Sequence, residues 1–231
     1  STVDHISQIR QAVQQGRLDA TIKVNASPVA SSQFMVFNWN KASDPFKQSL
    51  FRSDKFRRAM SHLVNRQAVI DIVYGGLGTP MYSSVYPVLT QWINPKVPKY
   101  EYDPKQAAKL LAELGFTKKD REGYLVDSKG RRIEFNLATN AGNTQREQIA
   151  KLIVDEAKKV GVKVNFQAID FNTLVGQLLS SGPDRPFDAI IIGLTGGGLD
   201  WPFGSNVVPC KGNLHMWNKS GQCLDPRETL M

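Results

Sequence analysis

The order of elements after residue 130 constrains the fold more than any other feature of the sequence. Hydrophobic periodicity there predicts three strands that alternate with two helices, at 130–139, 143–161, 162–169, 170–182 and 187–195. Strands separated by helices are typical of an α/β layer in which some strands pair in parallel. We therefore predict an α/β fold with a mixed sheet and helices on both sides of it.

The first 130 residues contain further elements with clear boundary signals. The chain is predicted to form a helix over 4–15, strands over 18–24 and 33–40, a turn at 42–48, helices over 53–64 and 66–74, a long loop over 79–100, a helix over 102–116 and a hairpin over 123–139. Asp103 and Pro104 mark the start of one helix as N-cap and first helical residue. The hairpin turn is placed at Asp127–Gly130.

Length and charge set broader limits. The chain has 231 residues, enough for one large domain or two small ones, and no apolar run reaches the roughly 18 residues that span a membrane. It lacks an initiator Met and both ends resemble parts of helices, so we expect a segment of a longer protein. The net charge of +8 can attract nucleic acid, but the basic residues fall on separate elements and do not interleave with aromatic residues. A nucleic-acid-binding module is therefore only a remote alternative.

The residues needed for catalysis are sparse. A hydrolase or transferase would need a nucleophile with a histidine base, and the three histidines are His5, His62 and His215. His62 falls within a predicted helix, and no GxSxG, GxGxxG or GK[ST] pattern occurs. His215 lies between Cys210 and Cys223, but three candidate ligands without a fourth make a weak metal site. We expect no enzyme activity, no metal and no cofactor, and an α/β hydrolase is a remote alternative.

A glycine run follows the last predicted strand, in the sequence GLTGGGLDWPFG. Glycines at a strand end allow a ligand or another chain to approach the backbone, and a plain turn explains them equally well. The aromatic rings of Trp201 and Phe203 can stack on a sugar or pack a peptide side chain, or simply fill a core. The two cysteines, Cys210 and Cys223, enclose a polar segment and indicate either a disulfide or two free thiols.

Four stretches of the sequence carry a family resemblance: YDPKQAAKLLAELGF, FRRAMSHLVNRQAVIDIVYGGLGTP, GVKVNFQAIDFNTLVGQL and FDAIIIGLTGGG. Together they resemble the family 5 extracellular solute-binding proteins, which serve ABC importers of peptides, nickel and some oligosaccharides. The resemblance runs from about residue 18 to about residue 222. Family members have two lobes that close on the ligand. The resemblance implies that 1–24 connects from a first lobe, 25–222 forms the second ligand-binding lobe, and 223–231 begins the return segment.

The same resemblance implies further properties. The parent protein would be periplasmic or extracellular, as an exported and often lipid-anchored protein. Its partners would be a small solute, a membrane ABC permease and the first lobe of the same chain. Dipeptide-binding relatives carry a disulfide after this strand end, which favours a bond between Cys210 and Cys223. We expect the chain to capture a peptide or other small solute by closure of two lobes and to deliver it to the permease.

The sequence departs from the peptide-binding pattern at one point. Peptide-binding relatives place an aspartate just after the strand to pair with the α-ammonium of the ligand, whereas this chain has Thr195, Gly196 and Gly197 there. Loss of that charge-assisted bond makes an oligosaccharide-specific protein the alternative. The predicted ligand-binding residues are Gly196, Gly197, Gly198, Asp200, Trp201, Asn206, His215, Trp217, Asn38 and Asn40.

Overall fold

A computed structural model describes residues 3–23, 31–195 and 206–224. In chain order its elements are α1 (Val3–Gln14), β1 (Ser31–Phe37), α2 (Pro45–Arg52), α3 (Asp54–His62), α4 (Arg66–Tyr74), a 3-10 helix (Thr90–Trp92), α5 (Pro104–Glu113), β2 (Lys118–Lys119), β3 (Leu125–Val126), β4 (Glu134–Asn140), α6 (Thr144–Val160), β5 (Lys163–Ile169), α7 (Phe171–Leu179) and β6 (Ala189–Thr195). None of the helices in the described ranges is both long enough and apolar enough to cross a membrane.

The main sheet has four strands in the order β1-β6-β4-β5. Strand β4 is parallel to both of its neighbours, β5 and β6, whereas β1 is antiparallel to β6. The parallel strands are connected through α6 and α7, as the alternating pattern after residue 130 requires. The prediction of an α/β fold with a mixed sheet is confirmed.

The two faces of the sheet contribute to two separate hydrophobic cores. On one face Ala189 and Ile191 of β6 pack with side chains of β4, α2, α3, α5 and α6. On the other face Ile190 and Ile192 pack with α7 and with Met216. Successive residues of β6 thus enter opposite cores, as the period of two in a strand demands, and both faces are covered by helices.

Several helix boundaries follow directly from the sequence signals. Asp103 accepts a hydrogen bond from the backbone N–H of Gln106 at the start of α5, and Pro104 is the first helical residue. The helix α6 begins after Asn143, which caps it, and ends at Gly161, whose φ of 95° lies in the left-handed region. These boundaries were predicted correctly because caps act locally.

The predicted turn at 42–48 is wrong in its second half. Asp44 accepts a hydrogen bond from the backbone N–H of Lys47, and Pro45 is the first residue of α2. This is the same Asp-Pro signal that starts α5. The helix continues because Leu50 and Phe51 are buried in the core, so tertiary packing stabilises a segment whose first residues also suit a turn.

Two predicted β elements also differ from the structure. Residues 18–23 form no strand and are mostly exposed, because β1 pairs with β6 and no described strand flanks the segment; Val24 lies outside the described residues. In the predicted hairpin at 123–139 the turn forms, with a bridge between Val126 and Arg132, but β3 pairs with β2 and β4 pairs with β5 and β6. The larger buried sheet therefore recruits β4.

Candidate functional site

The predicted glycine site begins where the description of the chain stops. Thr195 is the last residue of β6 and pairs with Ser31; Gly196, Gly197, Gly198, Asp200 and Trp201 lie outside the described residues. The carboxyl ends of β4, β5 and β6 meet at one edge of the sheet because these strands run in the same direction. We call it the carboxyl edge, and ligands of open α/β sheets bind at such edges.

Arg146 lies at the carboxyl edge, in the first turn of α6 directly after β4. Its Nη1 donates to Oδ1 of Asn140 at 2.7 Å, and its Nε donates to Oε1 of Gln33 at 2.9 Å. Asn140 is the last residue of β4, and Gln33 lies on β1. The guanidinium thus links β1 to β4, the two strands that flank β6 in the sheet.

Gly193 makes this arrangement possible. It pairs with Gln33 across the β1–β6 ladder. A Cβ built on Gly193 would lie 2.6 Å from Nε2 of Gln33 and 2.9 Å from Nη2 of Arg146, closer than real side chains approach. Both polar side chains therefore lie directly over the backbone of β6, two residues before its end, because position 193 has no side chain.

Two tyrosines border the same place. The hydroxyl of Tyr74, at the end of α4, is buried and has no hydrogen-bond partner within the described residues. Burial raises the pKa of Tyr74, and the positive charge of Arg146 opposes that rise; burial also lowers the pKa of Arg146. Tyr86, in the long loop 79–100, donates from its hydroxyl to the backbone carbonyl of Leu194 at 3.5 Å, which ties this loop to the end of β6.

Asn38 and Asn40 lie at the opposite edge. Phe37, the last residue of β1, pairs with Ala189, the first residue of β6, because the two strands are antiparallel. The residues after Phe37 therefore lie beside the start of β6, about 20 Å along the strand from Thr195. Both side chains are fully buried. Nδ2 of Asn38 donates to the backbone carbonyls of Asn40, Arg185 and Phe187. The structure does not bring these asparagines to the carboxyl edge, and gives them bonds that hold loops together; their assignment to ligand binding stays a prediction.

His215 and Trp217 lie together in the segment 206–224. Their rings are 4.0 Å apart, and Nδ1 of His215, which is fully buried, lies 2.9 Å from the carbonyl of Val207. The carbonyl of Trp217 accepts from the backbone N–H of Trp39 at 2.7 Å. This segment therefore packs on the same end of the sheet as Asn38 and Asn40.

Asn206 and the cysteines shape that segment. The carbonyl of the exposed Asn206 accepts a hydrogen bond from the backbone N–H of Leu214 at 2.8 Å. Cys210 and Cys223 form a disulfide with their Cα atoms 5.4 Å apart, which confirms the bond expected from the family resemblance. Five of the predicted binding residues thus have described positions, and four of them gather at the end of the sheet away from Thr195.

Arg185 organises this second group. It is almost fully buried and donates to the carbonyls of Leu178 and Met216 and, at 3.4 Å, to Oδ1 of Asn38. Burial lowers its pKa to about 10, so it stays charged at neutral pH. The network joins α7, β1 and the disulfide-closed segment.

The sequence reasoning missed Gln33, Asn140, Arg146 and Gly193. The available signal was the position of Asn140 and Arg146 on either side of the junction between β4 and α6, because polar side chains at a strand-to-helix junction face the carboxyl edge of a parallel sheet.

In the described part of the chain no group of three or more His, Cys, Asp or Glu side chains could hold a metal ion.

Comparisons with known proteins give a consistent result. A family model described as bacterial extracellular solute-binding proteins, family 5 Middle, matches residues 2–212. A probable ABC transporter-binding protein of Deinococcus radiodurans is 52% identical over 235 residues, which cover 98% of this chain and 39% of that protein. The oligopeptide-binding protein AppA of Bacillus subtilis is 34% identical over 163 residues, covering 69% of this chain and 28% of that protein.

Solved structures show the same likeness. The structure of Bacillus subtilis AppA in complex with a nonapeptide has a TM-score of 0.71 and 28% sequence identity, and covers 90% of this chain and 40% of that chain. A Thermotoga maritima oligopeptide-binding protein with bound mannohexaose has a TM-score of 0.65 at 18% identity, which shows a shared fold. The chain spans less than half the length of these relatives.

Proposed function

Because the chain belongs to the bacterial extracellular solute-binding proteins of family 5, we propose that it is the second ligand-binding lobe of a protein that serves an ABC importer. The protein captures a peptide or other small solute and delivers it to a membrane permease. The observation that carries this proposal is the family match over residues 2–212, with a Deinococcus relative that aligns along 98% of the chain.

The proposed domain division is the one that the family resemblance implies. Residues 1–24 connect from a first lobe, 25–222 form the second lobe, and 223–231 begin the return segment. The alignment covers 39% of the Deinococcus relative, which leaves length for a first lobe in such a protein. The proposed partners are the first lobe of the same protein, the solute and the permease. The proposed location is periplasmic or extracellular, with a lipid anchor on the full-length protein.

The proposed mechanism is closure of two lobes without covalent chemistry. A ligand that contacts both lobes stabilises the closed state, and the permease recognises that state. On this lobe we assign binding to Gly196, Gly197, Gly198, Asp200 and Trp201, which continue from the carboxyl edge after Thr195. Looser candidates are Asn206, His215, Trp217, Asn38 and Asn40.

A peptide is the leading ligand class, and an oligosaccharide is the second candidate. The likeness to AppA, whose structure holds a nonapeptide, supports the peptide. The second candidate rests on the sequence Thr195-Gly196-Gly197, which lacks the acid that pairs with a peptide α-ammonium in the relatives. The peptide candidate predicts that the ligand needs its charged α-ammonium group, whereas the oligosaccharide candidate predicts that an uncharged ligand binds.

Calorimetry on a full-length protein that contains this chain tests the proposal. A nonapeptide and mannohexaose are titrated separately into the protein, and binding of either in the micromolar range or tighter supports solute capture. Absence of binding by any member of a broad peptide and oligosaccharide panel would refute it. The 231-residue chain alone should bind far more weakly, because one lobe cannot close on a ligand; micromolar binding by the isolated chain would contradict the two-lobe mechanism.

A further inference from the structure

Helix α7 has apolar side chains on two of its sides. Leu174 and Leu178 are buried and pack against one face of the sheet. Phe171, Val175 and Leu179 follow one another at intervals of four residues, which places them along one flank of the helix, where Phe171 is 51% and Leu179 is 43% exposed. We call these three residues the apolar flank. The sequence of α7, FNTLVGQLL, includes no charged residue, and a helix that is apolar around most of its circumference is normally buried.

The face of the sheet that carries α7 is covered less completely than the other face. Of the described helices, α2 to α6 all contribute buried residues to the core on one face, whereas α7 alone does so on the other. On the α7 face Phe34 of β1 and Leu194 of β6 are only partly buried where they pack against the core. Apolar surface for a further element therefore remains on this face.

The chain leaves the described part of the lobe near one end of the apolar flank. The carbonyl of Lys219 accepts a hydrogen bond from the backbone N–H of Gly182, just after α7, at 2.9 Å. The last described residue, 224, follows five positions later, so it lies within about 18 Å of that contact. A disulfide at Cys223 holds this exit in place. The return segment, which begins at residue 223 in the proposed domain division, therefore starts beside the C-terminal end of α7.

The direction of α7 favours the return segment over the first lobe as the element that covers the flank. Phe171 follows β5 and lies at the carboxyl edge, where the proposed ligand cleft faces the first lobe. Leu179 lies about 12 Å farther along the helix, at the end of the sheet where the chain exits. The first lobe, across the cleft, meets only the Phe171 end of the flank, whereas a segment that starts at the exit can run along its whole length.

We infer that a helix of the return segment, formed by residues after position 231, packs along the apolar flank of α7 in the full-length protein. Packed helices interdigitate side chains that are three or four residues apart, so the covering element is an amphipathic helix with apolar residues at that spacing. The inference rests on the proposed domain division and does not depend on the identity of the solute. Cover of this flank and capture of a solute can therefore be tested separately.

Photo-crosslinking in the full-length protein tests the inference directly. The amino acid p-benzoylphenylalanine in place of Phe171 keeps an aromatic ring on the flank, and ultraviolet light joins it covalently to a side chain in contact. We expect mass spectrometry to find cross-links from position 171 to residues that follow position 231 in the same molecule. The same amino acid in place of Lys109, which is exposed on α5, is the control and should form no link to that segment.

Thiol labelling gives a second measurement that does not need the photoreactive residue. In full-length Leu179→Cys the new thiol should react with a maleimide at least about 10-fold more slowly than the thiol of Lys109→Cys, because a covered side chain reacts only after local opening. Mass spectrometry of peptides assigns the label to each position. In concentrated urea, which exposes both thiols, the two rates should become equal.

The outcomes are distinct. Cross-links from position 171 to the return segment, together with slow labelling at position 179, support the inference. Absence of any link to the return segment overturns it, whether position 171 links to the first lobe, to a second copy of the protein or to nothing. Labelling at position 179 that is as fast as at position 109 also overturns it. Each of these results leaves solute capture to be judged by calorimetry on the full-length protein.

Discussion

Asn38 and Arg185 are hydrogen-bonded to each other in both directions. Nδ2 of Asn38 donates to the backbone carbonyl of Arg185 at 3.2 Å, and Nη1 of Arg185 donates to Oδ1 of Asn38 at 3.4 Å. Both residues are buried, 147 positions apart in the sequence. Asn38 directly follows β1, and Arg185 lies in the segment before β6. These two hydrogen bonds therefore fix the position of the antiparallel strand β1 relative to β6 and the parallel part of the sheet.

The first prediction concerns Asn38. In Asn38→Asp a carboxylate replaces the amide that donates to three backbone carbonyls, so an anion would face three acceptors in the interior. We expect a loss of about 3–5 kcal/mol in the free energy of unfolding, measured by urea denaturation. Asn172→Asp, on the exposed first turn of α7, makes the same chemical change and should be neutral or slightly stabilising. Equal effects of the two substitutions would contradict the structural role of Asn38.

The second prediction concerns the fork of Arg185. Arg185→Lys keeps a positive charge, but one ammonium group cannot reach the carbonyls of Leu178 and Met216 and Oδ1 of Asn38 together. We expect a loss of about 2–3 kcal/mol in unfolding free energy, because a buried acceptor loses its donor. The control Arg121→Lys, on the exposed surface, should change stability by less than about 0.5 kcal/mol. A wild-type value for Arg185→Lys would show that charge alone suffices.

The sequence predicted the fold well where the determinants are local. The Asp103–Pro104 start of α5 and the Asn143 and Gly161 boundaries of α6 are each set by one side chain or one backbone conformation. The second half of the predicted turn at 42–48 and the described part, 18–23, of the predicted strand at 18–24 differ from the structure for another reason. Residues 45–48 are helical because α2 buries Phe51 in the core. Residues 18–23 could form a strand only beside a pairing partner, and in the described part of the chain no strand flanks them.

The candidate site shows the same division. Asn38 and Asn40 follow an aromatic strand, and the antiparallel direction of β1 places them at the end of the sheet opposite the carboxyl edge. Arg146 was overlooked because its significance comes from Gln33, 113 positions away, and from the lack of a side chain at Gly193. Strand direction and long-range pairing decide which polar residues share a site, and single-sequence periodicity does not report either.

The third prediction concerns the disulfide. It closes a loop between Cys210 and Cys223, 13 positions apart, and Met216 within that loop packs into the core beneath α7. The double variant Cys210→Ser, Cys223→Ser should lower the free energy of unfolding by about 3 kcal/mol, because the unfolded chain regains the freedom of the open loop. Thermal and urea denaturation measure the loss.

Reductant provides the control for this variant. Wild-type protein in dithiothreitol should approach the stability of the double variant, and the double variant should not respond to dithiothreitol. If the oxidised wild type and the double variant unfold at the same urea concentration, the disulfide contributes nothing to stability and the prediction is wrong.

The fourth prediction concerns acid stability and Glu134 at the start of β4. A hydrogen bond from Asn165, together with Lys163 and Arg132, holds the pKa of Glu134 below its ordinary value of 4.5. A carboxylate with a depressed folded pKa stabilises the native state fully above the unfolded pKa, and that contribution is lost as pH falls through the folded pKa. Glu134→Gln should therefore be less stable than wild type at pH 7, by under about 1 kcal/mol because the site is partly exposed.

The difference between wild type and Glu134→Gln should shrink as the pH is lowered below 4.5 and vanish once the wild-type carboxyl group is protonated. Urea denaturation across this pH range measures it. Glu101→Gln is the matched control, since the exposed carboxylate of Glu101 makes no ion pair within the described residues. A Glu134→Gln deficit that persists unchanged at the acid end would mean that the substitution acts through packing, because only the ionised form of Glu134 attracts Lys163 and Arg132.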